Sequence, residues 1–144
     1  MKLTKRRPAV NEEESITIIA HDSNEKVAQI MSILTSENTL TVYQESQLFK
    51  IKPQGVYYVE SVDFKTYVYT EVEVYVSRLR LYEIEQVLSS SDFMRINRQA
   101  LLNIRKIKSV ASAGGGRIEV VLKSGDKLIV SRQYAPVLKE RFGL

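Results

Sequence analysis

This chain reads as a mainly β domain with two or three short helices, preceded by a small strand-helix segment. Three observations carry that expectation. From Thr39 onward, short runs rich in Val and Tyr (TLTVYQ, QLFKIK, VYYVE, TYVYT, VEVYVS) follow a strand-like period, with residue types that suit a pleated surface. Turn residues separate the runs at Pro53-Gln54-Gly55, Ala113 to Gly116 and Ser124-Gly125-Asp126,. Helical spacing is confined to short stretches near residues 22–37, 77–88 and 134–142.

Taken in order, residues 1–15 are polar, segregate into a basic and then an acidic block, and are expected to be disordered,. Ile16 to Ala20 (ITIIA) is a β-branched run that predicts a strand. Asp22 and Glu25 have capping-pair spacing, and Val27, Ile30, Met31 and Leu34 recur as one face of a helix. Residues 16–38 therefore form a strand-helix extension too small to be stable alone. It must pack on the rest of the chain, residues 39–144, or on a second copy. Within 39–144, turns are expected around Glu45 and Ser46 and near Glu71 to Glu73. A helix should begin at Ser77, with Leu81, Ile84, Val87 and Leu88 inward, and end at the SSSD turn of 89–92. Ala113 to Gly116 should form a flexible hairpin loop, and RIEVVL with KLIVS a second hairpin. The final helix tolerates Pro136 only in its first turn.

Composition excludes several chemistries. There is no Cys and a single His21, so no disulfide framework, thiolate nucleophile or Cys/His metal cluster can form. No apolar run approaches the roughly 20 residues needed to cross a bilayer, and the basic N-terminus lacks an apolar segment behind it. A cytoplasmic location follows as the expectation. The triple glycine is followed by Arg117 and a strand pattern, not by the Lys-Ser/Thr of a phosphate-binding loop. No catalytic set, metal site or cofactor site can be assembled, and no small-molecule substrate is implied.

Charge is more informative. Residues 1–40 hold five basic and six acidic side chains, whereas residues 41–144 hold sixteen and eleven. The larger part is therefore the basic one and points to a polyanionic partner. The bias concentrates in FMRINRQALLNIRKIKSV, where Arg95, Arg98, Arg105, Lys106 and Lys108 interleave with Ile96, Leu101, Leu102, Ile104 and Ile107. A cationic edge anchored in a core suits a phosphate backbone, although a strand-loop-strand with a basic outer face would look the same. Arg98 falls in a tight connection (INRQ), and Arg132 lies between a strand and the last helix (VSRQY). An arginine held in this way can grip guanine or phosphate bidentately. The tyrosines Tyr57, Tyr58, Tyr67, Tyr69 and Tyr75 could stack bases or simply pack the sheet.

Taken together, VYYVES with DFKTYVYT, LRLYEIEQVL, DFMRINRQALLNIRKIKSV, RIEVVLKSGDKLIVSRQY and the closing helix resemble the LytTR-type DNA-binding domain of bacterial transcription regulators, over roughly residues 41–144. The resemblance implies elongated antiparallel sheets with short helices, and loops that enter successive major grooves of double-stranded DNA. It places DNA contacts at Lys65 and Thr66, at Asn97 and Arg98, and at Arg132, with Asn97, Arg98 and Arg132 on bases and Lys65 and Thr66 on the backbone or base edges. The basic residues Arg105, Lys106 and Lys108 are candidate phosphate contacts. Relatives commonly carry Ser at the position of Gln99 and His or Ser at that of Asn97, which puts this chain's middle contact outside the usual pattern. Some forty residues precede the match, too few for the phosphoacceptor receiver domain of most relatives, so aspartate phosphorylation is not the expected switch. Stand-alone relatives often work beside a small membrane protein, and a homodimer or paired monomers on repeated sites are expected. The competing functions are a single-stranded nucleic-acid-binding β-barrel, and a β-domain that binds an acidic protein partner.

Overall fold

The computed structural model describes residues 2–21, 23–28, 30, 39–88 and 92–143. The chain divides into two compact units, Met1–Ser36 and Glu37–Leu144. In the first unit residues 16–20 form no strand. This corrects the expectation from ITIIA. A strand exists through its ladder, and no described segment pairs with this run. Residues 25–28 are helical, and Asn24 caps them. The Asn24 side chain accepts from Val27 N–H at 3.2 Å, an amide with no intrahelical partner, and its carbonyl accepts the first intrahelical bond from Ala28 N–H at 3.1 Å,. Asp22, Met31 and Leu34, named in the sequence-based capping and helix expectations, lie outside the described residues.

Among the described residues, the second unit is built from ten strands: β1 Leu40–Gln44, β2 Gln47–Ile51, β3 Tyr58–Val62, β4 Lys65–Tyr69, β5 Val74–Ser77, β6 Phe93–Asn97, β7 Ala100–Asn103, β8 Ile107–Gly114, β9 Arg117–Leu122 and β10 Lys127–Val130. Seven form one sheet in the order β2-β1-β5-β4-β3-β7-β6, and the last three form another in the order β10-β9-β8. All these strand pairs are antiparallel, so both sheets can be made largely from local hairpins. The turn at Glu45-Ser46 has positive φ at both residues, the geometry that matches strand twist in a two-residue hairpin. The β4–β5 turn is closed by Thr70, whose N–H and hydroxyl both donate to the Glu73 carbonyl at 2.9 Å.

Two cores lie on opposite faces of the large sheet, because successive strand residues point to opposite sides. On one face Val42, Val59, Val68 and Leu101 pack with Leu81, Ile84 and Leu88 from the helix Leu81–Val87 and its C-terminal cap. On the other, Tyr58, Met94, Ile96 and Leu102 meet Ile118, Val120, Leu122 and Val130 of the small sheet and Leu138 of the closing helix Ala135–Phe142. The first of these helices starts at Leu81, four residues later than its sequence suggests. Ser77 is instead the last residue of β5, paired with Thr66 of β4, and its hydroxyl accepts from Leu79 N–H at 3.1 Å. Of the SSSD segment only Asp92 is described. Pro136 does fall in the first turn of the closing helix, where a missing N–H costs no hydrogen bond.

Candidate nucleic-acid interface

The β6–β7 hairpin supplies the centre of the site. Its turn is Arg98-Gln99, and Asn97 shapes it by accepting from Gln99 N–H through its side-chain oxygen at 2.8 Å. That leaves the Asn97 amide NH2 available as a donor. Arg95, two residues earlier, donates to the Arg98 carbonyl at 2.7 Å and to the Glu85 carboxylate at 2.5 Å. Arg95 is therefore spent on holding the turn, and the helix Leu81–Val87 braces it through Glu85. The consequence is a rigid Arg98 backbone beneath an exposed Arg98 side chain.

Arg132 is brought to the same place by long-range pairing. Ser131 N–H donates to the Ile96 carbonyl at 2.8 Å, tying the end of β10 to the end of β6. Asn97, Arg98, Gln99, Ser131, Arg132, Gln133 and Tyr134 line one open cleft of about 560 Å³. Ala113 to Gly116 is not a flexible loop: β8 runs to Gly114, and Gly115-Gly116 make a two-residue turn. A Cβ at Gly116 would sit 2.8 Å from Arg132 Cγ and 3.1 Å from Cδ. The bare glycine thus lets the Arg132 stem lie against the turn. Among the described residues neither Arg98 nor Arg132 has a carboxylate partner within salt-bridge distance, so both guanidinium groups present unneutralised donors.

The β3–β4 hairpin reaches the same end of the sheet, since Ser61 N–H donates to the Gln99 carbonyl at 2.8 Å. Lys65 opens β4 and is exposed. Thr66 is only 4 % exposed and pairs with Ser61 and Ser77. Its side chain therefore belongs to the sheet, which corrects the expectation that it reaches DNA from this geometry.

The remaining cations of the basic segment are placed elsewhere. Four residues of β7 separate the Arg98-Gln99 turn from the 3-10 turn Ile104–Lys106, a span of roughly 13 Å at strand rise. There Arg105 donates to Asp92 at 2.7 Å, and that hydrogen bond raises the Arg105 pKa further. The Lys106 ammonium lies 5.0 Å from the centre of the Tyr57 ring. Lys108 is exposed beside a register shift in β8. Asn103, which carried no signal in the sequence, organises this end. It is 2 % exposed, donates to the Val56 carbonyl at 2.8 Å and accepts from Arg105 N–H at 3.1 Å.

The tyrosines are packing residues more than a platform. Tyr57 and Tyr58 are buried, Tyr58 stacks on Tyr69 with ring centres 4.1 Å apart, and Tyr75 tilts against Phe49. Burial first, then the Asp126 carboxylate, pushes the Tyr58 phenol well above its ordinary pKa,. Among the described residues no helix is long and apolar enough to cross a membrane.

The structure is an antiparallel two-sheet fold that sets Arg98 on a hairpin turn and Arg132 between β10 and the closing helix. The family model of the LytTr DNA-binding domain matches residues 46–143, and the chain belongs to that family. A sensory transduction protein LytT of Enterococcus faecalis is 27% identical over 138 residues, covering 92% of this chain and 57% of that protein. Another LytT, from Bacillus anthracis, is 32% identical over 96 residues, covering 67% of this chain and 39% of that protein. The chain thus spans little more than half, or less, of the length of these two relatives. An uncharacterized HTH-type transcriptional regulator of Staphylococcus aureus is 28% identical, with 93% of each chain covered. Among solved structures, a LytTr DNA-binding domain from Bacillus cereus superposes with a TM-score of 0.70 at 24% identity, over 76% of this chain and all of that one. The fold is thereby that of a LytTr DNA-binding domain, mainly antiparallel β with short helices.

Proposed function

We propose that this chain is a transcription regulator that binds double-stranded DNA sequence-specifically, with the Arg98-Gln99 turn and Arg132 entering the major groove. The observation that carries the proposal is the shared cleft. Two arginines without acidic partners among the described residues, one braced by Arg95 and Glu85 and the other laid against Gly116, face the same open space. A guanidinium fixed in this way is pre-organised for bidentate contact with guanine O6 and N7. Asn97, through its free amide, joins them on base edges, and Lys65 meets the adjoining backbone. Arg105, Lys106 and Lys108 act as a separate set of phosphate contacts. The packing of Tyr57, Tyr58, Tyr69 and Tyr75 takes these rings out of the stacking platform on which the single-stranded reading rested,. Two copies on repeated half-sites would gain affinity through effective concentration.

The test is selection of bound duplexes from a random pool, followed by titration of the selected duplex, a mismatched duplex and each separated strand. A recurrent motif bound as duplex is the expected result. Arg132→Ala should then lose discrimination between matched and mismatched duplexes, at about 1–3 kcal/mol. Enrichment of no motif, or tighter binding of the single strands, would overturn the proposal.

A further inference from the structure

Phe64 occupies a position where the fold gains nothing from it. It is the second residue of the two-residue turn between β3 and β4, and its side chain is fully exposed. Asp63 and Phe64 have φ of 49° and 66°, the left-handed region that suits Gly or Asn and disfavours a bulky side chain. The ring thus brings backbone strain with no compensating burial. Folding alone would be better served by glycine, which with Asp63 would make the preferred dipeptide for such a hairpin.

The position of the turn gives the ring a use. Ser61 N–H bonds to the Gln99 carbonyl, so the tips of the β3–β4 and β6–β7 hairpins project from adjacent strands at the same end of the sheet. The Phe64 turn extends two to three residues beyond that hydrogen bond, about 7–10 Å at strand rise. Asp63 places a carboxylate at the tip, which phosphates repel, while the cation of Lys65 lies on the strand behind. A tip of this kind suits the base edges between the two backbones better than either backbone. In the major groove the apolar group available to a Phe ring is the C5-methyl of thymine.

We infer that Phe64 is a specificity-determining residue that reads a thymine methyl. The inference rests on the DNA-binding function proposed above. The experiment uses the selected duplex with each thymine replaced in turn by deoxyuridine, which removes only the methyl group. The full chain should lose about four-fold in affinity at one position, the effect of exposing one buried methyl-sized group. Phe64→Ala should bind the thymine and uracil duplexes equally, at the weaker level. Phe64→Gly, which accepts the positive φ, should do the same and keeps the test valid if the alanine variant folds poorly. A preference for thymine that survives in both variants overturns the inference. So does a loss of binding on removing the ring that no uracil substitution reproduces, since that marks a wedge between base pairs. Unchanged DNA binding in both variants also overturns it and assigns the ring to another partner. Failure of the unaltered chain to retain any duplex is a different result, because it removes the DNA-binding reading itself.

Discussion

Replacing Gly116 by alanine would test whether Arg132 is positioned by the β8–β9 turn. The new methyl carbon would lie 2.8 Å from Arg132 Cγ and 3.1 Å from Cδ, against an ordinary carbon–carbon contact of about 3.5–4.0 Å. The stem must therefore move by roughly 0.7 Å at Cγ, and the guanidinium, farther along the lever, by more. A bidentate contact does not tolerate such a displacement, so most of the ~1–3 kcal/mol of a good arginine–base pair should be lost, about ten-fold or more in affinity. Alanine at Gly116, where φ is +80°, also costs the fold roughly 1–2 kcal/mol for the left-handed conformation. Gly115→Ala supplies the control, because Gly115 has φ of +62° and a methyl group added there would meet nothing within 4 Å. Thermal unfolding should show similar destabilisation of both variants. Fluorescence anisotropy on the selected duplex should show loss only for Gly116→Ala. Equal affinities for the two variants would refute the positioning argument.

Three further outcomes follow from the geometry. Asn103→Ala removes buried hydrogen bonds to Val56 and Arg105 and should lower stability by about 1–3 kcal/mol in urea titration, while Asn97→Ala, which is only half-buried, should cost less. Single replacements of Lys106 or Lys108 should weaken binding to all duplexes alike and reduce the salt slope by roughly one unit; an unchanged slope in both would make this end of β7 a solvated surface. The Tyr58 phenol is held protonated in the folded state above its unfolded pKa of about 10,. Its contribution is thus complete below that pH and is lost as pH rises beyond it, so phenolate absorbance for part of the tyrosine complement should emerge together with unfolding. Full ionisation of every tyrosine near pH 10 in the folded chain would contradict this.

Much of the second unit was determined by local pattern. The alternation in TYVYT and RIEVVL, the Ser124-Gly125-Asp126 turn and the place of Pro136 all describe which side of a short element faces the core, and a side-chain period records that directly. The same property put Arg98 in a turn and Arg132 just past a strand. The resemblance of the ordered segments then pointed to the DNA-binding family. Tertiary structure decided the rest, because partners distant in sequence leave no local trace. ITIIA has strand composition but finds no ladder among the described residues. Ser77 could have opened a helix, yet its pairing with Thr66 makes it the end of β5. Thr66 sits next to Lys65 in the chain but is enclosed by neighbours on both sides of β4. Charge spacing grouped Arg95, Arg98, Arg105, Lys106 and Lys108, whereas the length of β7 divides them and Glu85 turns Arg95 into a brace. The cleft between Arg98 and Arg132 exists because a backbone hydrogen bond from Ser131 to Ile96 joins the two sheets there, thirty-five residues apart in sequence. Contacts of that separation are set by the assembled core and its pairing, which no window of sequence contains.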